Sequence, residues 1–276
     1  MLLFNENKLI NRICLVLASL ASVLNATSIR AEATKDLTLL VGQAMPPYIC
    51  PDNEQGLELE LVRMALAIEG YRVIPKRMPL ARIPRALNAA QADGALTLSP
   101  DLPLEHVYLS DSHISYQNAF FSLDKFDIKL NSINDIKGKS LVAFQNAQHY
   151  LGDHFSDLVK DNQLYQEHHN QAKQVSMLLK ERTQLVVMDK HIFQYYYNKS
   201  PQEAMSQKIR SHDLLPVNQY HVGFLRDGWR DAFNRGLKKL KQRGIYKQIT
   251  SKYLDCAQLY VKSVPGRPPQ AAECPC

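Results

Sequence analysis

YHVGFLRDGWRDAFNRGLKKLKQRGIYKQITSKYL, residues 220–254, carries the strongest fold signal in the chain. It opens as a short apolar strand. Trp229, Phe233, Leu237 and Leu240 then recur at helical spacing, Gly244 interrupts, and Ile245, Ile249 and Tyr253 carry the period into a second helix. Asp231 and Arg235 stand four apart with the acid first, the orientation that favours an ion pair along one helix face.

Upstream, the apolar pattern alternates between short runs and helical spacing. LTLLVG (37–42) reads as a buried strand. After Gly56, Leu57, Leu61, Ala65 and Ile68 share one helical face, and Gly70 stops the helix. YRVIPKR (71–77) alternates as a strand, a short helix over Arg82–Ala90 follows, and ALTL (95–98) is a third strand. About a hundred residues later the order repeats: SLVAF (140–144), a helix from Ala147 to Val159, QLYQEH (163–168), a helix over Ala172–Arg182, and QLVVMD (184–189). Two β-α-β-α-β units with right-handed crossovers have parallel strands, and the C-terminal ends of those strands form the binding edge. A cleft between two such edges is the expected site.

The chain has 276 residues, 45% apolar and 22% charged, enough to bury a full core in one large or two small domains. Lys8 and Arg12 precede the apolar run Ile13–Leu24, and Ala31-Glu32-Ala33 supplies small residues before Thr34, the pattern of a cleaved secretory signal peptide over residues 1–33. The run is shorter than the roughly 20 residues needed to span a bilayer. Export to the periplasm is the expectation. Without residues 1–33, the 33 basic residues lose 3 and the 27 acidic lose 2, a net charge of +5. Nothing resembles the interleaved basic and aromatic pattern of a nucleic-acid groove. In an oxidising compartment Cys50, Cys256, Cys274 and Cys276 are candidates for disulfides, with a tail tied back to Cys256 as the expected bridge.

The closing segment resembles the end of the bacterial extracellular solute-binding proteins of family 3, the periplasmic components of polar amino-acid ABC importers, through Asn234, Leu237, Leu240, Gly244, Tyr246, Ile249, Lys252 and Tyr253. Pro46-Pro47-Tyr48 followed by Gly56 resembles the family's opening, and Arg82, Ala86, Leu87 and Asp93 resemble its next helix. Ile136-Lys137-Gly138-Lys139-Ser140-Leu141-Val142 is similar to its entry into a second lobe, and Val186-Val187-Met188-Asp189 to a strand end there. The resemblance covers roughly residues 36–254. It implies an α/β Venus-flytrap protein of the type II periplasmic-binding class, with lobe one at 34–120 plus 221–256, lobe two at 121–220 and a tail at 257–276. Two hinge strands near 115–125 and 218–226 are implied, with closure on a ligand.

Family members hold an α-amino acid's carboxylate with an arginine that follows a threonine after the third strand. Here Thr97-Leu98-Ser99-Pro100-Asp101-Leu102-Pro103-Leu104-Glu105-His106 has no arginine, and neither Lys nor Arg occurs between Arg85 and Lys125. Arg82, His106 or the backbone N–H groups of Gln145-Asn146-Ala147 at a helix start are the substitutes. The resemblance makes Asp189 the ammonium partner, with N-capping as its plain structural alternative, and makes Tyr48 an aromatic wall. Thr97 and Ser99 are hydrogen-bond donors. The ligand-binding set is therefore Tyr48, Arg82, Thr97, Ser99, Asn146 and Asp189. A monomer without cofactor or metal is expected, binding a small polar solute and handing it to the membrane permease of an ABC importer or to a membrane sensor. Glu58, Glu60 and Glu105 look like surface carboxylates. His149, Asp153 and His154, even with His168-His169, are a weak metal set. Cyclohexadienyl dehydratases resemble this fold, so an enzyme is the remaining alternative.

Overall fold

A computed structural model describes residues 34–51, 54–262 and 276, with backbone only for 256–262. The proposed leader at 1–33, Cys274 and the side chain of Cys256 lie outside the described residues. The chain runs β1 (Lys35–Val41), α1 (Leu57–Ala67), β2 (Tyr71–Arg77), α2 (Ile83–Asn88), β3 (Gly94–Leu98), β4 (Tyr108–Leu109) and β5 (Ile114–Leu123). It continues through β6 (Leu141–Phe144), α3 (Ala147–Tyr150), α4 (Asp153–Val159), β7 (Tyr165–His168), α5 (Gln171–Leu179), β8 (Leu185–Asp189) and α6 (Lys190–Asn198). The last elements are α7 (Gln202–Met205), β9 (Ile209–His212), β10 (Val217–Phe224), α8 (Asp227–Gln242) and α9 (Ile245–Lys262).

The strands follow the order β2-β1-β3-β10-β5-β8-β6-β7, with β4 on β10 and β9 on β5. Each copy of the repeated unit places its first strand in the middle: β1 lies parallel between β2 and β3, and β6 parallel between β7 and β8. β3, β6 and β8 are buried along their whole length, as strands covered on both faces must be, which is why they read as unbroken apolar runs. Two long antiparallel strands join the halves. β10 pairs with β3 through His221–Phe224 and with β5 through Val217–Tyr220, while β5 goes on to pair with β8 through Asn118–Phe121.

The closing segment folds as its period predicts, because Phe233, Leu237 and Leu240 are buried against the first half. α8 lies so close on α1 that a Cβ added at Gly236 would meet the Ala65 carbonyl oxygen at 1.9 Å. Three expectations are corrected. The single helix over Ala147–Val159 is two, because Gly152, at φ 85°, turns the chain out of helix between α3 and α4. Arg235 does not pair with Asp231. Its Nε reaches Glu69 Oε2 at 2.9 Å, where Lys239 also binds at 2.6 Å, so a carboxylate on a neighbouring element wins over the one on its own helix. The tail bridge runs from Cys276 to Cys50, with Cα atoms 5.3 Å apart, so that Cys276 is not the partner of Cys256. The Cys276 carbonyl also accepts from Tyr195 Oη and Lys199 Nζ on α6, at 3.0 and 2.9 Å.

Candidate functional site

The turn after β1 starts the site. Pro46-Pro47, joined by a cis peptide, leads into Tyr48, and the first turn of α1 caps itself on that turn: Leu57 N–H donates to Pro47 O at 2.9 Å and Glu58 N–H to Tyr48 O at 3.1 Å. Gly56, at φ 131°, makes this approach possible, since a Cβ there would lie 2.2 Å from Tyr48 O. Its N–H donates to Tyr253 Oη of α9 at 3.2 Å, and that hydroxyl donates to Glu60 at 2.6 Å. The PPY…G motif and the closing Tyr253 are therefore parts of one junction, which fixes Tyr48 and Glu58 facing inward.

Tyr48 is buried, and its hydroxyl donates to Asp189 Oδ1 at 3.2 Å across 141 residues of sequence. Asp189 ends β8 and caps α6, accepting from the N–H groups of His191 at 2.8 Å and Ile192 at 3.1 Å, while its second oxygen accepts from Gln117 N–H at 2.9 Å. The capping role and the candidate binding role thus belong to the same side chain. Burial raises the Asp189 carboxyl above its ordinary range, and the nearby His191 and the three N–H donors pull the other way. Next to it lie stacked rings: Tyr48 on Tyr116 with centroids 3.8 Å apart, Tyr116 edge-on to Tyr220 at 4.8 Å, and Tyr150 tilted against Tyr220 at 5.8 Å. Burial first, and with it the carboxylates of Asp189 and Glu58, pushes the phenols of Tyr48, Tyr116 and Tyr220 well above the ordinary value.

Glu58 is fully buried, not on the surface. It accepts from Thr97 Oγ1 at 2.8 Å and Tyr116 Oη at 3.0 Å, and its other oxygen meets His113 Nε2 at 3.1 Å. Its sequence position carried a signal, because Glu58 stands three, four and seven residues before Leu61, Val62 and Ala65, on the apolar face of α1. Tyr116, Tyr150, Tyr220, Asn118, Gln171 and His113 were also missed. Their strands and helices are legible, but which of their faces meets the cleft depends on pairing across about a hundred residues.

Thr97, Tyr116, Tyr150, Gln171, Asp189 and Tyr220 line an interior cavity of about 20 Å³, room for about one water molecule. A second cavity of about 30 Å³ shares Met45, Leu80, Phe144 and Gln171 with it and extends to Gln43, Gln145 and His169. Neither lining contains a lysine or an arginine. Of the sequence-predicted residues, Tyr48, Thr97 and Asp189 come together. Ser99 is buried but turned to Asp101, at 3.1 Å. Arg82 is exposed, and its side chain has no polar partner among the described residues, while Leu80 of the same turn faces the cleft. His106 is exposed too. Asn146 has the left-handed φ of 61° that starts α3, but its N–H donates to Glu167 Oε2 at 2.7 Å and Gln148 N–H reaches Oε1 at 3.4 Å. The helix start thus holds the protein's own carboxylate. Among the described residues no three His, Cys, Asp or Glu side chains are grouped to hold a metal ion.

No family model and no curated protein matches the chain. Solved structures do. An ancestral arginine-binding protein bound to arginine is 21% identical, with a TM-score of 0.66 over 80% of this chain and 99% of its own. An ABC uptake transporter substrate-binding protein from Streptococcus pneumoniae with bound histidine is 15% identical, with a TM-score of 0.66 over 82% and 95%. A histidine kinase sensor domain similar to periplasmic binding proteins is 17% identical, with a TM-score of 0.66 over 81% and 97%. The TM-scores and the coverage of nearly the whole of each matched structure show that this chain has the two-lobed α/β fold of the periplasmic-binding-protein-like structures.

Proposed function

We propose that the protein binds a small polar, amino-acid-like solute reversibly in the cleft lined by Asp189 and the tyrosines, and delivers it from the periplasm to the membrane permease of an ABC importer. The observation that carries this reading is Asp189, a buried carboxylate at the end of β8 in a cavity whose walls come from both halves of the sheet. A cavity of about 20 Å³ admits such a solute only if the walls part, and reopening around a ligand is what two joining strands permit. Similarity to amino-acid-binding proteins of ABC systems supports delivery to an importer. Similarity to a histidine kinase sensor domain supports a second reading, delivery to a membrane sensor.

The test is a thermal-shift panel of amino acids, amines, peptides and organic acids, with prephenate turnover measured alongside. Binding at a hundred times Kd stabilises the folded state by about 2.7 kcal/mol. A shift within the panel, without turnover, is expected. No shift anywhere, or turnover of prephenate, contradicts the binding reading.

A further inference from the structure

The cleft is lined by aromatic rings, by the aliphatic Met45, Leu80 and Ile192, and by a few polar side chains, of which Asp189 alone is a carboxylate. Its lining carries the Asp189 carboxylate and no lysine or arginine. Arg77, near the outer cavity, donates to the carbonyls of Gln43 at 2.7 Å and Cys50 at 2.9 Å. The helix start that would hold an anionic end of a ligand holds Glu167 instead. Three places where a carboxylate could land are thus closed: the wall has no arginine, Arg82 is on the surface, and the α3 terminus is filled.

What the cleft offers is the complement. Gln171, common to both cavities and only 8% exposed, has its Oε1 buried without a hydrogen-bond partner, so it lacks a donor where the two spaces meet. Asp189 has three backbone N–H donors and one hydroxyl, but no cation in hydrogen-bond contact. Tyr116, Tyr220, Tyr150 and Phe144 form a continuous arc of rings around the same space, with successive centroids 4.8, 5.8 and 6.0 Å apart. Aromatic faces attract cations most strongly when the cation is out of water, as here.

Building on the binding role proposed above, we infer that the cleft selects an organic cation that carries no carboxylate, a primary amine or guanidine whose N–H groups donate to Asp189 and Gln171 within the arc of tyrosines. A carboxylate on the ligand would lie beside Asp189 in a lining that holds no lysine or arginine, so matched pairs should separate sharply.

The test is isothermal titration of the folded protein with agmatine against arginine, putrescine against ornithine, histamine against histidine and tyramine against tyrosine. At least one amine should bind at least tenfold tighter than the amino acid it matches. Gln171→Leu, which removes the unpaired acceptor without touching the Asp189 cap, should weaken that amine at least threefold with the melting temperature unchanged. If an amino acid binds as tightly as its amine, or tighter, the inference is overturned and the binding role stands. Undiminished amine affinity in Gln171→Leu overturns the place given to that side chain. If no member of any pair binds while an anionic or neutral solute in the wider panel does, the inference fails alone. No binding by any solute ends both.

Discussion

The junction that holds Tyr48 against Asp189, and Glu58 against Thr97 and Tyr116, behind the cleft wall depends on Gly56, and a pair of glycine substitutions measures how much. At Gly56→Ala two costs combine. The backbone is at φ 131°, a region closed to residues with a Cβ, and the new methyl would sit 2.2 Å from Tyr48 O, 2.6 Å from Tyr48 C and 2.8 Å from Ile49 Cα. These are backbone atoms, which cannot swing away as a side chain would. Strain of about 1–3 kcal/mol at such a dihedral and about 1–3 kcal/mol for the forced displacement give a loss of about 4 kcal/mol. Gly70→Ala is the control: φ is 80°, but nothing lies within 4 Å of its added Cβ, so it carries only the conformational penalty of about 1–2 kcal/mol. Urea unfolding of both variants, analysed with a common m-value, gives the difference. Equal losses would refute the close contact between α1 and the Tyr48 turn. A further consequence is that Gly56→Ala should weaken ligand binding even under conditions where it is folded, because Tyr48 moves with its carbonyl.

Other outcomes follow from the same structure. Gly236→Ala drives a methyl against the Ala65 carbonyl, so α8 must shift off α1, with a loss of about 3 kcal/mol in chemical denaturation; a loss below about 1 kcal/mol would mean the helices are not in that contact. Tyr116→Phe removes one of the donors to buried Glu58 and should cost about 1–3 kcal/mol; an unchanged midpoint would show that Glu58 does not rely on it. Reduction of the Cys50–Cys276 bridge, which closes a loop of 226 residues, should lower stability by about 2–4 kcal/mol, read from urea midpoints with and without reductant; coincident midpoints would rule the bridge out as a stabiliser. Amine affinity should depend on pH through Asp189, which faces Tyr48, Tyr116, Tyr220, Glu58 and His191. Its folded pKa is raised, so this carboxyl by itself favours the folded state below its ordinary value of 3.8 and gives that stability up as pH rises through the folded value. A bound amine needs the ionised form. Affinity should therefore fall on acidification at a pH above 3.8, with proton release on binding. A titration that stays flat from pH 7 down to 3.8 would exclude Asp189 as the cation's partner.

The fold was legible because punctuation and period agree. Gly70 and Gly244 end helices where apolar spacing stops, and the central parallel strands β1, β3, β6 and β8 are short and apolar enough to be read singly. The doubled unit then implied a cleft, and Thr97 and Asp189 line it, with Tyr48 bonded to Asp189 from behind. Legibility ended where a side chain's partner is remote. Nothing near Asn146 says that Glu167, 21 residues on, will take its N–H. Arg235 chose Glu69 over its helical neighbour for the same reason. Arg82 and Leu80 share one turn, and only the packed structure decides that the leucine faces inward. Glu58 is different: its place on the apolar face of α1 was readable, but a carboxylate there looks misplaced until Thr97, Tyr116 and His113 are seen around it.

Capture of a carboxylate-free cation by the Asp189 cleft is open to a direct measurement. That measurement is native mass spectrometry of protein purified without denaturation, with the released small molecule identified and the experiment repeated on Asp189→Asn. A one-to-one adduct of an amine or guanidine, present in the wild type and lost in a folded variant, is the predicted result. An amino acid or an organic acid in the wild type, or a cation retained undiminished by Asp189→Asn, would contradict it.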